Sequence, residues 1–106
     1  MPKLNFDVPN PIGQEKAVSL VQKFIPLVEA RFKDMVKDVQ QNLNGNKLDF
    51  SFKSMGMTIQ GVLTIDPEKV NVAMELPFAA MMMKGKIQSE VTTALEKLLG
   101  RESPST

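Results

Sequence analysis

The side chains able to do chemistry in this chain are carboxylates and lysines, because the sequence contains no histidine and no cysteine. Imidazole bases, Ser-His-Asp triads, thiol nucleophiles, disulfides and metal centres built on Cys or His are thereby excluded. Asp7, Asp49 and Glu75 are the candidates for acid–base work, which needs two groups in unequal, partly buried environments so that their pKa values separate. Here they alternate with Lys3, Lys47, Lys53 and Lys69 on what the pattern predicts to be a wet sheet face, where cross-strand ion pairing is the better account. Asp34 and Asp38 are spaced one helical turn apart and could offer oxygen ligands to magnesium or calcium. Lys33 and Lys37 share that spacing, so the segment reads as a solvated, ion-paired surface. The stretch "NGNK" at 44–47 has a phosphate-loop composition but leads into a strand, without the helix N-terminus that binds phosphate. These residues predict no catalytic site, no cofactor and no metal.

A different chemistry is written in "FAAMMMKGK", residues 78–86. Successive helical residues turn by about 100°, so Met81, Met82 and Met83 fan over about 200° and cannot all face one core. Phe78 and Ala79 extend the apolar surface, and Lys84 and Lys86 adjoin it with stems long enough to lie over an interface. Methionine fills gaps in cores and also recurs at adaptable binding surfaces. Two uses are therefore open: a core filler with one methionine exposed, or an apolar contact patch for a partner, a second subunit or a lipid-like surface. Gly85 costs about 1 kcal/mol relative to alanine and weakens the helix at that point.

The elements that must position these residues are legible from the hydropathy period. Leu4, Phe6 and Val8 alternate with Lys3, Asn5 and Asp7, predicting a half-buried strand stopped by Pro9 and Pro11. From Gly13 to Leu43 apolar residues recur at three- and four-residue steps: Ala17, Val21, Phe24, Val28, Phe32, Met35, Val39 and Leu43. That is one helical face, closed by Asn42, Asn44 and a left-handed Gly45. Pro26 interrupts it, so a kink or break is expected near residues 22–26. A straight helix of this length would span about 46 Å, against about 30 Å for a nine-residue strand. A bend would let it curl over the sheet.

Three strands are expected next. Leu48, Phe50 and Phe52 alternate with charged and polar residues; "KSMGM" turns the chain, with Gly56 free to take positive φ. Met57, Ile59, Leu63 and Ile65 share one parity, and "DPEK" at 66–69 is a strong turn. Val70, Val72, Met74 and Leu76 form the last inward row. Gly61 falls on the inward parity, marking a bulge or a close packing contact, or else the floor of a small cavity. Pro77 opens a second helix to Gly100, with Ala80, Lys84, Ile87, Val91, Ala94, Leu95 and Leu98 along its core stripe. Residues 101–106 form a polar tail predicted to be mobile.

The fold class is thus α+β: one two-layer domain over residues 1–100, in the order β-α-β-β-β-α. A four-stranded, mostly antiparallel sheet carries both helices on its apolar face, and the first strand could pair beside the second or the last. A chain of 106 residues suits one domain. Thirteen basic residues are mixed among twelve acidic ones, with no tyrosine or tryptophan for base stacking, which argues against nucleic acid. "MPKLNFDVPN" has no signal-peptide core, and no apolar run approaches the ~20 residues of a membrane span. The expected compartment is the cytoplasm.

Several segments carry a family resemblance: "PIGQEKA" leading into the first helix, "NKLDFSFKSMGMTIQGVLTID" with its glycines, and "KVNVAMELPFAAMMMKGKIQSEVTTALEKLL". Together they run from Phe6 to about Leu99 and are similar to the polyhydroxyalkanoic acid system proteins, small bacterial proteins found with polyester storage-granule genes. Members commonly have a histidine before the first helix and a tryptophan near the second strand; here those regions read Asn10-Pro11 and Asn42-Leu43-Asn44. The resemblance implies a non-enzymatic accessory or granule-associated protein, with the granule surface or its proteins as partners. The residues expected to make the contact are Phe78, Met81, Met82 and Met83, with Lys84 and Lys86 at the rim. Two alternatives accompany this reading. One is a small lipophilic-ligand carrier whose cavity lies between the bent helix and the sheet, near Phe24 and Gly61. The other is a structural homo-oligomer that seals the methionine patch.

Overall fold

The computed structural model describes residues 3–32 and 34–100; Lys33 and the tail at 101–106 lie outside the described residues. The elements are β1 (Lys3–Pro9), α1 (Gln14–Val21), α2 (Phe24–Arg31), β2 (Lys37–Asn44), β3 (Lys47–Ser54), β4 (Met57–Ile65), β5 (Lys69–Glu75), α3 (Phe78–Met81) and α4 (Lys84–Gly100). One sheet of five antiparallel strands runs in the order β1-β5-β4-β3-β2. The α+β class and the antiparallel sheet stand as expected, but the sheet has five strands rather than four, and each expected helix is divided. The first strand pairs with the last, Leu4 opposite Met74 and Val8 opposite Val70.

The expected helix from Gly13 to Leu43 stops at Arg31, and its final third is β2. Val39 and Leu43 show the physical reason. A four-residue spacing fits a strand's period of two as well as a helix's 3.6, so these two residues satisfy both. Pairing decides: Gln41 lies opposite Phe50 and Leu43 opposite Leu48. Gly45 is not a helix cap. It takes φ 65° at the first central position of a two-residue turn between Asn44 and Lys47, where primed hairpin turns call for glycine. Asp34 and Asp38 consequently share no helix; Asp38 belongs to the irregular start of β2, with φ 52°.

Pro26 splits the first helix rather than bending it. Its ring cannot coexist with the carbonyl of the residue four positions earlier, and it has no N–H to give that carbonyl. That residue is Gln22, between α1 and α2. Its freed carbonyl accepts instead from Nε2 of Gln41 at 3.1 Å. Pro26 then falls in the first turn of α2, where backbone N–H groups have no partner within the helix anyway. The break and the strand that replaces the helix's end are thus tied by one hydrogen bond.

The helices cover the apolar face, α1 against β4, α2 against β2, and α4 against β1, α1 and α2. Between the layers Leu48, Leu63, Ile65, Leu76, Leu95 and Leu99 are fully buried. At the centre Phe24 meets Phe50 edge-on, centroids 5.9 Å apart and rings at 67°. Phe50 lies directly opposite Gly61 in the β3–β4 register. A Cβ on Gly61 would stand 2.7 Å from Phe50 Cζ, 2.7 Å from the Ala73 carbonyl oxygen and 3.1 Å from Met74 Cγ. The space over Gly61 is therefore taken by an aromatic ring, which is the close-packing use of a strand glycine.

The outer face is polar. Asn71 Nδ2 donates to Asn5 Oδ1 at 2.8 Å and Asp7 Oδ1 at 2.9 Å, and Lys69 stands 3.7 Å from Asp7. At the end where β1 stops, buried Asn10 donates through Nδ2 to the Asp66 carbonyl at 2.9 Å, while its Oδ1 accepts from Ile12 N at 3.2 Å. Its own N–H reaches the Glu68 carbonyl at 2.9 Å. Asn10 thus fastens the exit of β1 to the β4–β5 turn.

Gly61→Ala is expected to destabilise the fold by about 1–3 kcal/mol, the usual cost of overpacking, read as a lower urea midpoint with an unchanged slope. Asn10→Ala leaves the part-buried Asp66 carbonyl and Ile12 N–H without their partner. Its expected cost is about 1–3 kcal/mol, measurable in the same titration.

Candidate functional site

The methionine stretch begins where β5 ends. Leu76 is fully buried and anchors the chain, and Pro77 at φ −66° starts α3. Two hydrogen bonds of three-residue span, Ala80 N to the Pro77 carbonyl and Met83 N to the Ala80 carbonyl, each 2.9 Å, wind this segment with fewer residues per turn than an α-helix. The α-helix resumes at Lys84, and Ile87 N closes on the Met83 carbonyl at 2.9 Å. The second expected helix is therefore broken at Met82 and Met83. Lys84, expected on the core stripe, is exposed, and the inward residues of α4 are Ile87, Val91, Ala94, Leu95, Leu98 and Leu99.

Ala80 is buried and Met81 packs, half-buried, against the core. Phe78 is 83 % exposed, Met82 93 % and Met83 48 %. Lys84 and Lys86 are exposed beside them. The six residues named from the sequence thus divide: Met81 belongs to the core, and the other five form a surface of two large apolar side chains, one half-exposed methionine and two ammonium groups. Phe24 is buried, and Phe50 and Met74 stand close over Gly61 on the helix side of the sheet. A groove of about 550 Å³ does exist, but on the opposite, open face of the sheet. Its lining includes Lys3, Asp49, Gln60 and Glu75, and it reaches Gly61, the glycine expected to floor a cavity, together with Phe50 and Met74.

Two further exposed apolar residues lie outside the expected contact set. Met35 belongs by spacing to the core stripe of a helix that does not extend so far, and is 48 % exposed in the loop before β2. Met55 is 73 % exposed at the tip of the β3–β4 hairpin. The one local signal for Met55 is its place in "SMGM", at the turn position before Gly56, where a methionine has no packing role.

Among the described residues no helix is long and apolar enough to cross a membrane. No curated protein matches the chain in sequence. Ten chains of solved structures match its fold. One is the crystal structure of Ara h 8.0201, at 10 % identity and a TM-score of 0.51, over 92 % of this chain and 97 % of that one; the likeness is one of fold. A family model described as "Putative polyhydroxyalkanoic acid system protein" matches residues 5–99. With nearly the whole described domain inside that match, the chain belongs to the polyhydroxyalkanoic acid system protein family.

Proposed function

We propose that this chain is a non-enzymatic accessory protein that docks, in the cytoplasm, onto the apolar surface of a polyester storage granule. One observation carries the reading: Phe78 and Met82 stand in solvent while Leu76 and Ala80, their neighbours in the chain, are locked in the core. Anchored backbone with outward apolar side chains is a contact surface needing little reorganisation. Fully burying one Phe or Met side chain is worth about 1.5–3 kcal/mol, so these two supply a few kcal/mol before the cost of association. Met83 adds adaptable area, and the stems of Lys84 and Lys86 can lie along the interface with their charges in water. Family membership favours a polyester granule as that surface. The carrier alternative would have to use the groove of about 550 Å³ that reaches Gly61, since Phe50 stands close over that glycine on the helix side.

The test is adsorption to poly(3-hydroxybutyrate) particles. Met82→Glu/Met83→Glu is expected to weaken adsorption by at least about tenfold, because two charges would enter an apolar contact. Surface substitutions of this kind usually change stability by under about 0.5 kcal/mol, so the unfolding midpoint should hold. Undiminished adsorption by the folded double variant would overturn the proposal.

A further inference from the structure

Every large exposed apolar residue among the described ones lies at one end of the sheet. The strand register places them. Lys37 at the start of β2 is opposite Lys53 near the end of β3, Ser54 is opposite Met57, and the end of β5 at Glu75 is opposite Gln60. Met35 precedes β2, Met55 tips the β3–β4 hairpin, and Phe78, Met82 and Met83 follow β5. Three chain segments distant in sequence therefore carry their exposed apolar side chains at the same end of the sheet. The β4–β5 turn at the opposite end presents Asp66 and Glu68 instead.

Two features of this end are costly within the fold. Ser54 and Met57 bracket a two-residue turn, Met55 and Gly56, with φ 55° and 79°. A turn with both central residues at positive φ favours asparagine, aspartate or glycine at the first position. Methionine there is strained and gains no burial; an observed backbone outlier of this kind points to function. The second feature is charge. Lys37 and Lys53 stand directly opposite each other on neighbouring strands, an unfavourable like-charge pair. Arg31 is paired with Glu90 at 3.0 Å, and Lys3 is opposite Glu75. The end then retains Lys37, Lys53, Lys84 and Lys86 against Asp34 and Asp38, with Lys53 3.7 Å from Asp38.

We infer that this whole end is an interfacial anchor for an anionic phospholipid surface, Met55 and Phe78 entering the acyl boundary and the lysines facing the headgroup phosphates. Apolar tips ringed by ammonium groups suit such a layer, since insertion and charge act at the same depth. The inference rests on the granule-docking reading above and deepens it, by making the docked surface a lipid-coated one.

The experiment uses phosphatidylcholine vesicles with and without phosphatidylglycerol. The chain lacks tryptophan, so Met55→Trp supplies a unique emission reporter. Anionic vesicles are expected to bind at least about tenfold more tightly than neutral ones and to shift the indole emission of that variant to the blue, and added salt should weaken the binding. Met55→Asn should lower vesicle affinity severalfold while its unfolding midpoint stays level or rises, because asparagine suits the turn. Lys37→Gln/Lys84→Gln/Lys86→Gln should abolish the preference for anionic vesicles. Equal affinity for both vesicle types, or full binding by Met55→Asn, would overturn the inference, as would a solution mass twice that of the chain with Met55 buried between copies. If particle adsorption remains sensitive to Met82→Glu/Met83→Glu while the vesicles go undiscriminated, the lipid inference falls and the polyester reading stands.

Discussion

The ring of Phe50 can lie across the sheet because Gly61, opposite it, has no Cβ. Much of the interior depends on that one missing carbon. With Phe50 against the sheet, Phe24 can meet it edge-on from the first turn of α2, and Met74 completes the contact from β5. The arrangement joins three neighbouring strands to the helical layer through aromatic contacts worth more than their buried area alone. On the helix side of Gly61 the space is taken by the Phe50 ring and Met74.

The helical layer fits this core because it is jointed. Pro26 rejects the Gln22 carbonyl, Gln41 donates to it from β2, and α2 is free to turn toward that strand. The joint at Met82 and Met83 works differently, with no proline and with two tight hydrogen bonds of three-residue span. There the chain is held on both sides, by Leu76 and Ala80 before it and by the stripe from Ile87 onward after it. Exposure of the methionines follows from that confinement. Lys84 is exposed because it opens α4, a turn before the first inward residue, Ile87.

Much of this architecture is legible in the amino-acid pattern. Strict alternation identifies β1, β3, β4 and β5 with their inward rows, since a one-residue slip would turn each set to solvent. Pro26 announces the first break, and the surplus of methionine announces a surface. The differences cluster where a local pattern admits two periods or none. Val39 and Leu43 satisfy a helix and a strand equally, which conceals β2 and puts Met35 on a helical stripe that does not form. Turn residues such as Met55 carry no periodicity, and their exposure depends on which hairpin they cap.

The sequence by itself determined that no imidazole or thiol is present, the α+β class and the identity of the inward residues of β1, β3, β4 and β5, because composition and side-chain alternation are local properties. Only the tertiary structure decided that the last part of the first helical pattern joins the sheet, that β1 closes its far edge against β5, and that Gly61 is covered by Phe50 on the helix side. It alone gathered Met35, Met55 and the turn from Phe78 to Met83 at one end. Those outcomes depend on pairings between residues far apart in the chain, whose free energies no window of neighbouring residues contains.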